Sequence, residues 1–318
     1  MKPILLSQIE SFFNAAAFKK ENDFLILEAT SIEKSTSTSI SFWTSSTLPL
    51  KLGHIEVGLL LVPMDYNANL TGIRSFLKVD DPYQAMVSFI EHFYLPYVSY
   101  PPKKVAANAE VHSSAVVEGE VGERCKIGPG CIVSKGAKVG DRTVLDANIT
   151  LYPGVSIGAD CKVQAGAVIG SRGFGFYSTN GTRFSVPHIA GVLIGNGCEL
   201  GANMVVASGF LSPTQIGDEC HFDSFVQIGH NCTLGNRIFM ASQSGLGGST
   251  MVEDGVEFGG GAQVAGHLTI GKGARIAAKA GVTKSVNPGV TVSGFPAVDI
   301  NSWRKQVLSL RKIGRELK

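Results

Sequence analysis

An apolar residue recurs at every sixth position along most of the chain. One run in this register extends from Val121 to Ile169, a short run extends from Ile194 to Val206, and a third covers twelve consecutive positions from Ile216 to Val282. A period of six is too long for strand alternation and too short for a helical repeat, but it is typical of a hexapeptide solenoid. The pattern predicts triangular coils of three flat faces, each coil about 18 residues long, stacked at the strand spacing of about 4.8 Å.

A small or modest residue stands two positions before these apolar residues, which predicts a narrow coil interior. All six cysteines occupy this slot: Cys125, Cys131, Cys161, Cys198, Cys220 and Cys232. Metal binding or disulfide formation is the alternative use of such thiols. No CxxC spacing occurs, however, and small buried side chains are the favoured interpretation. A chain of unpaired thiols fits a reducing compartment.

Length and charge narrow the class of protein. A chain of 318 residues can hold two domains, and a net charge of only +2 argues against a nucleic-acid-binding protein. Polar residues interrupt the N-terminal segment, so no signal peptide is predicted. The longest apolar stretch, Val57 to Pro63, is too short to span a bilayer. We therefore expect a cytoplasmic protein with no transmembrane segment and no nucleic-acid partner.

Residues 1–100 do not follow the six-residue register and predict a small α/β domain. The Asp81-Pro82 pair predicts the start of a helix, because it provides an acidic cap and a proline in the first turn. Tyr100-Pro101-Pro102 then forms a stiff linker. The predicted elements are a helix over about 5–18, strands around 24–27, 39–43 and 58–62, and a helix from 81 to about 92.

The coil domain is predicted over residues 101–296 and is followed by a basic amphipathic helix over 297–318. An apolar stripe along this helix comprises Ile300, Trp303, Val307, Leu310, Ile313 and Leu317. Two segments interrupt the coil register, 171–191 and part of 207–215, and both must loop out. Loops on a rigid solenoid are where binding sites usually form. Flat solenoid faces of this kind commonly associate as trimers, with active sites between subunits.

Several motifs carry a family resemblance that spans almost the entire chain. They are the segment 222–271 with its I-G-H-N sequence, GSRGFGF at 170–176, SGFPA at 293–297, ISFW at 40–43 and VDDPYQA at 79–85. Together they resemble the acyl-carrier-protein-dependent UDP-3-O-acylglucosamine N-acyltransferases of lipid A biosynthesis. The resemblance implies a left-handed parallel β-helix with an N-terminal α/β domain and a C-terminal helix, assembled as a homotrimer.

The resemblance also implies the reaction. A (3R)-3-hydroxyacyl chain moves from the 4'-phosphopantetheine thioester of acyl carrier protein to the 2-amine of UDP-3-O-(3-hydroxyacyl)-glucosamine, with no bound cofactor and no metal. His230 matches the general base of the family, and an imidazole can accept the amine proton near neutral pH. Gly248, one coil of 18 residues later, matches the oxyanion-hole glycine. His267 matches the auxiliary histidine near the sugar, two coils and one residue beyond His230.

Other site residues follow from the same resemblance. Asp223 and Gln227 match polar positions that support the base, although solvated surface positions are a close alternative. The N-terminal domain resembles a uridine-binding module, in which Phe42 and Trp43 are candidates to stack on uracil. Ser45 stands where the family more often has a sugar-contacting asparagine.

The chain departs from the family pattern at further positions. Ala207-Ser208 stands where relatives usually carry Asp-Arg, which indicates a retuned site, a changed substrate or a weakened paralogue. Gly281 replaces a bulkier residue of some relatives and predicts an acyl groove with room for a longer chain. The exposed cations of the C-terminal helix predict a surface for acidic acyl carrier protein. These cations are Arg304, Lys305, Arg311, Lys312 and Arg315.

Three alternatives remain at this stage. One is another hexapeptide sugar acyltransferase, which acts on a hydroxyl or uses acetyl-CoA. A second is a zinc hydratase of the γ-carbonic-anhydrase kind, but His221 and His230 are nine residues apart and His267 is remote, a poor match to its three-histidine site. The third is a scaffold or inactive paralogue, which the Ala207-Ser208 change favours and the presence of His230, Gly248 and His267 opposes.

Overall fold

A computed structural model describes an N-terminal α/β unit, a long parallel β-helix and a C-terminal helix. The described residues are 2–18, 23–46, 56–67, 72–97, 99–179, 181–295 and 297–316. The three parts follow one another along the chain in the order that the sequence predicts. The boundaries at 100 and 296 stay predictions, and the strands of the β-helix fall between Lys104 and Val292.

Short parallel strands build the β-helix, most of them only two residues long. In chain order they are β7 (Lys104–Val105), β8 (Glu110–Val111), β9 (Val116–Val117), β10 (Glu120–Val121), β11 (Lys126–Ile127), β12 (Ile132–Val133), β13 (Lys138–Val139), β14 (Val144–Leu145), β15 (Thr150–Leu151), β16 (Val155–Ile157), β17 (Lys162–Val163), β18 (Val168–Ser171), β21 (Val192–Ile194), β22 (Glu199–Leu200), β23 (Val205–Ala207), β24 (Thr214–Ile216), β25 (His221–Phe222), β26 (Gln227–Ile228), β27 (Thr233–Leu234), β28 (Phe239–Met240), β29 (Gly245–Leu246), β30 (Met251–Val252), β31 (Glu257–Phe258), β32 (Gln263–Val264), β33 (Thr269–Ile270), β34 (Arg275–Ile276), β35 (Gly281–Val282) and β36 (Thr291–Val292). The numbers β19 and β20 belong to a hairpin, Phe176–Thr179 and Thr182–Ser185, that projects from the coils.

These strands form three sheets that we call face 1, face 2 and face 3. Face 1 begins with β7 and contains β24 and β27, face 2 begins with β8 and contains β25 and β28, and face 3 begins with β9 and contains β26 and β29. Uninterrupted coils pair residues 18 apart, as Ile228 pairs with Leu246. The solenoid predicted from the six-residue register is therefore confirmed.

The repeated apolar positions form one continuous core along the coil axis. Every residue of the register from Ile216 to Val282 is buried. All six cysteines are buried free thiols, as the interior slot predicts. Several thiols donate to a carbonyl of an adjacent coil, for example Cys198 Sγ to Gly217 O at 3.2 Å. The residues of the coil interior are thus stabilised both by apolar burial and by hydrogen bonds to adjacent coils.

The N-terminal unit contains a four-stranded parallel sheet with two helices. Its elements are β1 (Ile4–Leu5), α1 (Leu6–Phe13), β2 (Leu25–Ile26), β3 (Glu28–Ala29), a 3-10 turn (Ile32–Lys34), β4 (Ser39–Phe42), β5 (Val57–Pro63), β6 (Ile73–Val79), α2 (Pro82–Phe89), a π-helical segment (Ile90–Tyr94) and a 3-10 segment (Leu95–Tyr97). The sheet order is β3-β4-β5-β6, and β1 pairs separately with β2.

Two predicted helix limits in this unit are wrong. The first helix ends at Phe13 rather than Phe18, because Asn14 takes a left-handed conformation (φ 48°) and caps the helix C-terminus. The second helix begins as predicted, with the Asp81 carboxylate accepting from Tyr83 N and Gln84 N. Its helical path continues beyond the predicted end, through the π-helical and 3-10 segments. The sequence interpretation also missed β6.

The two coil interruptions pack against the N-terminal unit. Val186 from the first bulge and Phe210 and Leu211 from the second are buried in one apolar cluster with residues of α1, α2 and β5. Thr179 Oγ1 in the projecting hairpin lies 3.1 Å from Gln84 Oε1 of α2. The bulges therefore fix the N-terminal unit against one edge of the β-helix.

The last element is α3 (Ile300–Glu316), whose start is three residues later than predicted. Asp299 causes this start, since its carboxylate accepts from Asn301 N and Ser302 N. Most of the predicted apolar stripe is exposed, with Trp303 at 52% and Leu310 at 68%. Leu317 and Lys318 lie outside the described residues.

Candidate active site

The corner between face 3 and face 1, which we call the histidine corner, carries the predicted catalytic residues. The strands β26, β29 and β32 end there on successive coils. His230 follows the first of them, Gly248 the second and His267 the third. The two coil interruptions leave the solenoid at this same corner, which brings them beside the histidines.

A cleft of about 410 Å³ separates the histidine corner from the N-terminal unit. Its lining comprises Ser31, Ile32, Glu33, Ser41, Phe42, Trp43, Thr44, Tyr83, His188, Phe210, Leu211, Ser212, His230, Asn231, Ser249 and His267. A larger concavity of about 750 Å³ lies along coils near the N-terminal end of the β-helix, and no histidine lines it. Three histidines converge on the cleft, which makes it the candidate active site.

Asn231 fixes the orientation and tautomer of His230. The Asn231 amide is itself fixed, because Oδ1 accepts from Phe210 N at 3.0 Å and Nδ2 donates to Ser212 O at 2.8 Å. His230 Nδ1 lies 3.1 Å from this Oδ1. Since an amide oxygen only accepts, Nδ1 carries the proton, and Nε2 of the neutral ring has a free lone pair. The sequence interpretation missed this role of Asn231, although the residue stands inside the I-G-H-N sequence.

Gly248 lies directly against the reactive side of the His230 ring. A Cβ at position 248 would come within 2.5 Å of His230 Nε2. The backbone N–H of Gly248 has no acceptor among the described residues. The same is true of Gly260 N–H at another corner, so an unpaired N–H is a property of the coil corner. What distinguishes Gly248 is the imidazole beside it.

His267 lies one coil beyond Gly248 and lines the same cleft. Its backbone N–H donates to Gly248 O at 3.0 Å, so the two residues are structurally linked. Its φ of 63° matches that of Asn231 and Ser249 at the same place in their coils. The left-handed conformation therefore belongs to the corner. The predicted placement of His267 along the axis from His230 agrees with this geometry.

His188, from the first interruption, is a third imidazole of the cleft that the sequence interpretation did not single out. Its ring centroid lies 4.8 Å from that of His230, in an edge-to-face arrangement. Burial, together with the charge that His230 can carry, lowers the pKa of His188 to about 4. The sequence carries no direct signal for this residue beyond its place in a loop that interrupts the register, because only the fold brings that loop beside His230.

The opposite wall of the cleft is aromatic. Phe42 is half-buried, with its ring centroid 5.5 Å from that of Tyr83 and 6.2 Å from that of Phe210. Trp43, also half-buried, packs against the apolar cluster on the other side of the sheet. Ser45 is exposed and is not part of the cleft lining. The structure thus brings Phe42 and Trp43, but not Ser45, into the cleft wall.

Two further predicted positions, Asp223 and Gln227, shortly precede His230 in the chain. Asp223 is exposed at the corner between face 2 and face 3, and its carboxylate accepts from Ser224 N at 2.7 Å. Gln227 is exposed on the outer side of face 3. Neither side chain forms a hydrogen bond with His230 among the described residues. Their supporting role stays a prediction.

Gly281 and the terminal cations lie outside the cleft. A Cβ at Gly281 would meet no described atom within 4 Å, so its side of face 3 is open. The five predicted carrier-protein contacts are all exposed on α3. They are Arg304, Lys305, Arg311, Lys312 and Arg315. Their exposure leaves them available for a partner, and that role also stays a prediction.

The Ala207-Ser208 pair is buried where β23 ends at the histidine corner. Ala207 is 7% exposed and Ser208 is 3% exposed. Ser208 Oγ accepts from Gly191 N at 2.9 Å and lies 3.3 Å from His188 O. This hydroxyl therefore ties the second interruption to the first. Small uncharged residues suit this closed position.

The described ranges offer no group of three or more histidine, cysteine, aspartate or glutamate residues arranged to hold a metal ion. His221 extends from face 2, 3.8 Å from Glu199, on a different side of the coil from the histidine corner. In the same ranges, every helix is too short or too polar to cross a bilayer.

Comparisons with known proteins define the class first. Residues 136–171 match the family model of the bacterial transferase hexapeptide (six repeats). The UDP-N-acetylglucosamine acyltransferase of Francisella novicida has the same fold, with a TM-score of 0.51 and 24% identity over 64% of this chain and 73% of that one. The molecule is thus a left-handed β-helix of the hexapeptide class.

Full-length similarity identifies the family within that class. The UDP-3-O-acylglucosamine N-acyltransferase of Hydrogenovibrio crunogenus is 32% identical over 94% of this chain and 90% of its own length. The enzyme of that name from Pseudomonas putida is 30% identical over 66% of this chain, and the match spans 62% of that relative. The chain belongs to the UDP-3-O-acylglucosamine N-acyltransferase family.

Proposed function

We propose that this chain is an N-acyltransferase of lipid A biosynthesis. It moves a (3R)-3-hydroxyacyl group from acyl carrier protein to the 2-amine of UDP-3-O-(3-hydroxyacyl)-glucosamine. One observation carries the proposal: in a member of this family, Nε2 of His230, which is the acceptor nitrogen of the neutral ring that Asn231 orients, lies against Gly248 at the histidine corner. A base and an unpaired backbone N–H side by side suit the transfer of an acyl group to an amine.

The reaction proceeds by direct attack. His230 Nε2 takes a proton from the amine while the nitrogen attacks the thioester carbon. The carbonyl oxygen becomes an oxyanion, which the Gly248 N–H stabilises. Collapse of this intermediate breaks the C–S bond, and the imidazolium returns its proton to the departing sulfur. These reaction steps need no covalent enzyme intermediate, metal or bound cofactor, because the donor thioester is carried on the phosphopantetheine of acyl carrier protein.

Asn231 is the positioning residue for this base. Its amide oxygen holds the Nδ1 proton and thereby keeps the Nε2 lone pair on the side of Gly248. A neutral amide orients the ring without adding charge. His267, which shares the cleft, is proposed to assist sugar binding.

The N-terminal wall of the cleft is proposed to bind the nucleotide sugar. The rings of Phe42 and Trp43 offer apolar surface for uracil, and Ser45 extends the same segment towards solvent. Ser41 Oγ, in the same wall, is buried without a hydrogen-bond partner among the described residues. Such a group favours a polar ligand atom nearby.

The acyl chain is proposed to lie along face 3, past Gly281. The open space around this glycine supports a groove that accepts a longer chain. The donor would bind at the basic surface of α3, which offers five exposed cations to an acidic carrier protein. Long-range attraction of this kind weakens as salt is added.

We further propose that the chain assembles as a homotrimer. The exposed apolar side chains of α3, such as Trp303 and Leu310, favour burial against another copy of the chain. Asp223 lies at the far edge of face 3 from His230, so its support for the base is expected across a boundary between subunits. Gln227, on the outer side of the same face, is also proposed to support the base.

The direct test is acyl transfer with purified protein. 3-Hydroxyacyl carrier proteins of increasing chain length would be offered with UDP-3-O-acyl-glucosamine, and separately with UDP-N-acetylglucosamine, and products identified by mass spectrometry. We expect an amide product from the first acceptor and a preference for the longer donors. An ester product from the second acceptor would instead identify a hydroxyl acyltransferase. An absence of turnover with every pair would contradict the proposal and favour an altered acceptor or an inactive paralogue.

A further inference from the structure

His188 is held in the cleft by contacts that leave one of its ring nitrogens unused. Its Nδ1 lies 3.0 Å from Val186 O, so Nδ1 donates and Nε2 of the neutral ring is the acceptor. Nε2 has no hydrogen-bond partner among the described residues, and the side chain lines the cleft. A half-buried acceptor in a cleft requires a donor from water or from a ligand.

The surroundings of His188 hold it beside the base. Ser208 Oγ reaches its carbonyl oxygen, and Gly173 passes close over both imidazoles. A Cβ at Gly173 would come within 2.6 Å of His188 Nε2 and of His230 Cβ, so only glycine permits this approach. Ser208, at the position where the family usually has a charged residue, thus fastens the segment that presents His188.

Nε2 of His188 also stays a hydrogen-bond acceptor through the neutral pH range. Burial is the main cause that lowers the pKa of His188 to about 4, and a proton on His230 would oppose a second charge beside it. Protonation would convert Nε2 from an acceptor into a donor, and it is suppressed where an ordinary histidine would begin to titrate. His188 is therefore suited to accept a hydrogen bond rather than to take up a proton.

We propose that His188 contacts the acceptor substrate: its Nε2 accepts a hydrogen bond from an N–H or O–H of the sugar, beside the amine that His230 deprotonates. This inference rests on the proposed function for the identity of the acceptor. His188 orients the sugar and takes no proton in the reaction. Its removal is therefore expected to weaken acceptor binding more than it slows the chemical step.

The test measures binding and turnover separately. Binding of UDP-3-O-acyl-glucosamine to wild type, His188→Phe and His188→Gln would be followed by isothermal titration calorimetry. Phenylalanine keeps an aromatic ring without an acceptor, whereas glutamine supplies an amide oxygen. We expect Kd to rise about 5- to 30-fold in His188→Phe and to return most of the way to wild type in His188→Gln. Should His188→Phe fail to fold, as judged by circular dichroism, His188→Leu provides the same comparison.

Kinetics distinguish this inference from the proposed function. A higher KM for the acceptor, with an unchanged KM for the acylated carrier protein, supports substrate contact. An unchanged acceptor Kd in His188→Phe overturns the inference, as does a fall in kcat alone, which would show that His188 acts only through His230. Binding of the acceptor by wild type without turnover would count against the proposed function, and the Kd comparison would still decide the role of His188.

Discussion

At the scale of single residues, the site depends on a neutral amide that fixes the tautomer and orientation of the base. The Asn231 amide, with both ends bonded, determines which nitrogen of His230 is free. The sequence could predict His230 from its motif. It could not predict the role of Asn231, because that role depends on Phe210 and Ser212 from a bulge about twenty residues earlier.

Replacement of Asn231 tests this arrangement. Asn231→Ala is expected to lower kcat about 100-fold, because the ring loses its fixed tautomer and orientation. Asn148→Ala is the matched control, since Asn148 has the same left-handed conformation (φ 57°) at a distant corner. Steady-state kinetics at fixed pH would measure both. An equal loss in the two variants would show that backbone strain, rather than the hydrogen bond to His230, causes the effect.

The low pKa of His188 predicts that this residue makes the folded chain less stable at acid pH. Its pKa is about 4 in the folded chain and near the ordinary value of 6.5 in the unfolded chain. Between these values the unfolded state binds more protons, so the free energy of unfolding falls as pH falls from about 6.5 to 4. The drop in Tm over this window should be smaller in His188→Phe than in wild type. Parallel Tm curves for the two proteins would contradict this.

At the scale of elements, the coils were predictable because each six-residue step places one side chain in a shared interior. The corners were predictable for the same reason, and Gly248 lies against His230 as the 18-residue count requires. The N-terminal unit was less predictable. The strand β6 was missed because half-buried and fully buried positions alternate along it, which gives a weaker pattern than the continuous apolar run of β5.

Two glycines at coil corners, Gly248 and Gly260, allow a matched comparison of alanine substitutions. Gly248→Ala is expected to lower kcat by about 100-fold or more, because its Cβ would displace the imidazole and disturb the approach to the Gly248 N–H. Gly260→Ala places a methyl at the same step of another corner, where the nearest atom is 3.6 Å away. It should keep its activity. A Gly248→Ala enzyme with wild-type kcat would contradict the close packing of position 248 against the imidazole of His230.

At the scale of the whole molecule, the interruptions of the register determine where the site forms. They leave the solenoid at the histidine corner and hold the N-terminal unit across the cleft through Val186, Phe210 and Leu211. The sequence predicted that these segments loop out. It could not predict that they would supply His188 to the cleft and form part of a core with α1 and α2, since these contacts join residues far apart in the chain.

The proposed trimer is tested through α3. Replacement of Leu310 and Ile313 by glutamate would place charges on the exposed apolar side of the helix, where burial in an interface would be costly. Size-exclusion chromatography with light scattering should give three times the chain mass of 33.6 kDa for wild type, and a smaller species for the variant. A monomeric wild type would contradict the trimer. An unchanged trimer in the variant would show that α3 does not hold it together.

The central claim is that the cleft at the histidine corner performs acyl transfer with His230 as base. The most direct measurement is the rate of amide formation by wild type, His230→Ala and His221→Ala, with folding checked by circular dichroism. His221 is the matched control, an exposed histidine on face 2 away from the cleft. The account predicts a loss of about 10²- to 10⁴-fold in His230→Ala and near-wild-type activity in His221→Ala. A folded His230→Ala enzyme that keeps wild-type activity would contradict it.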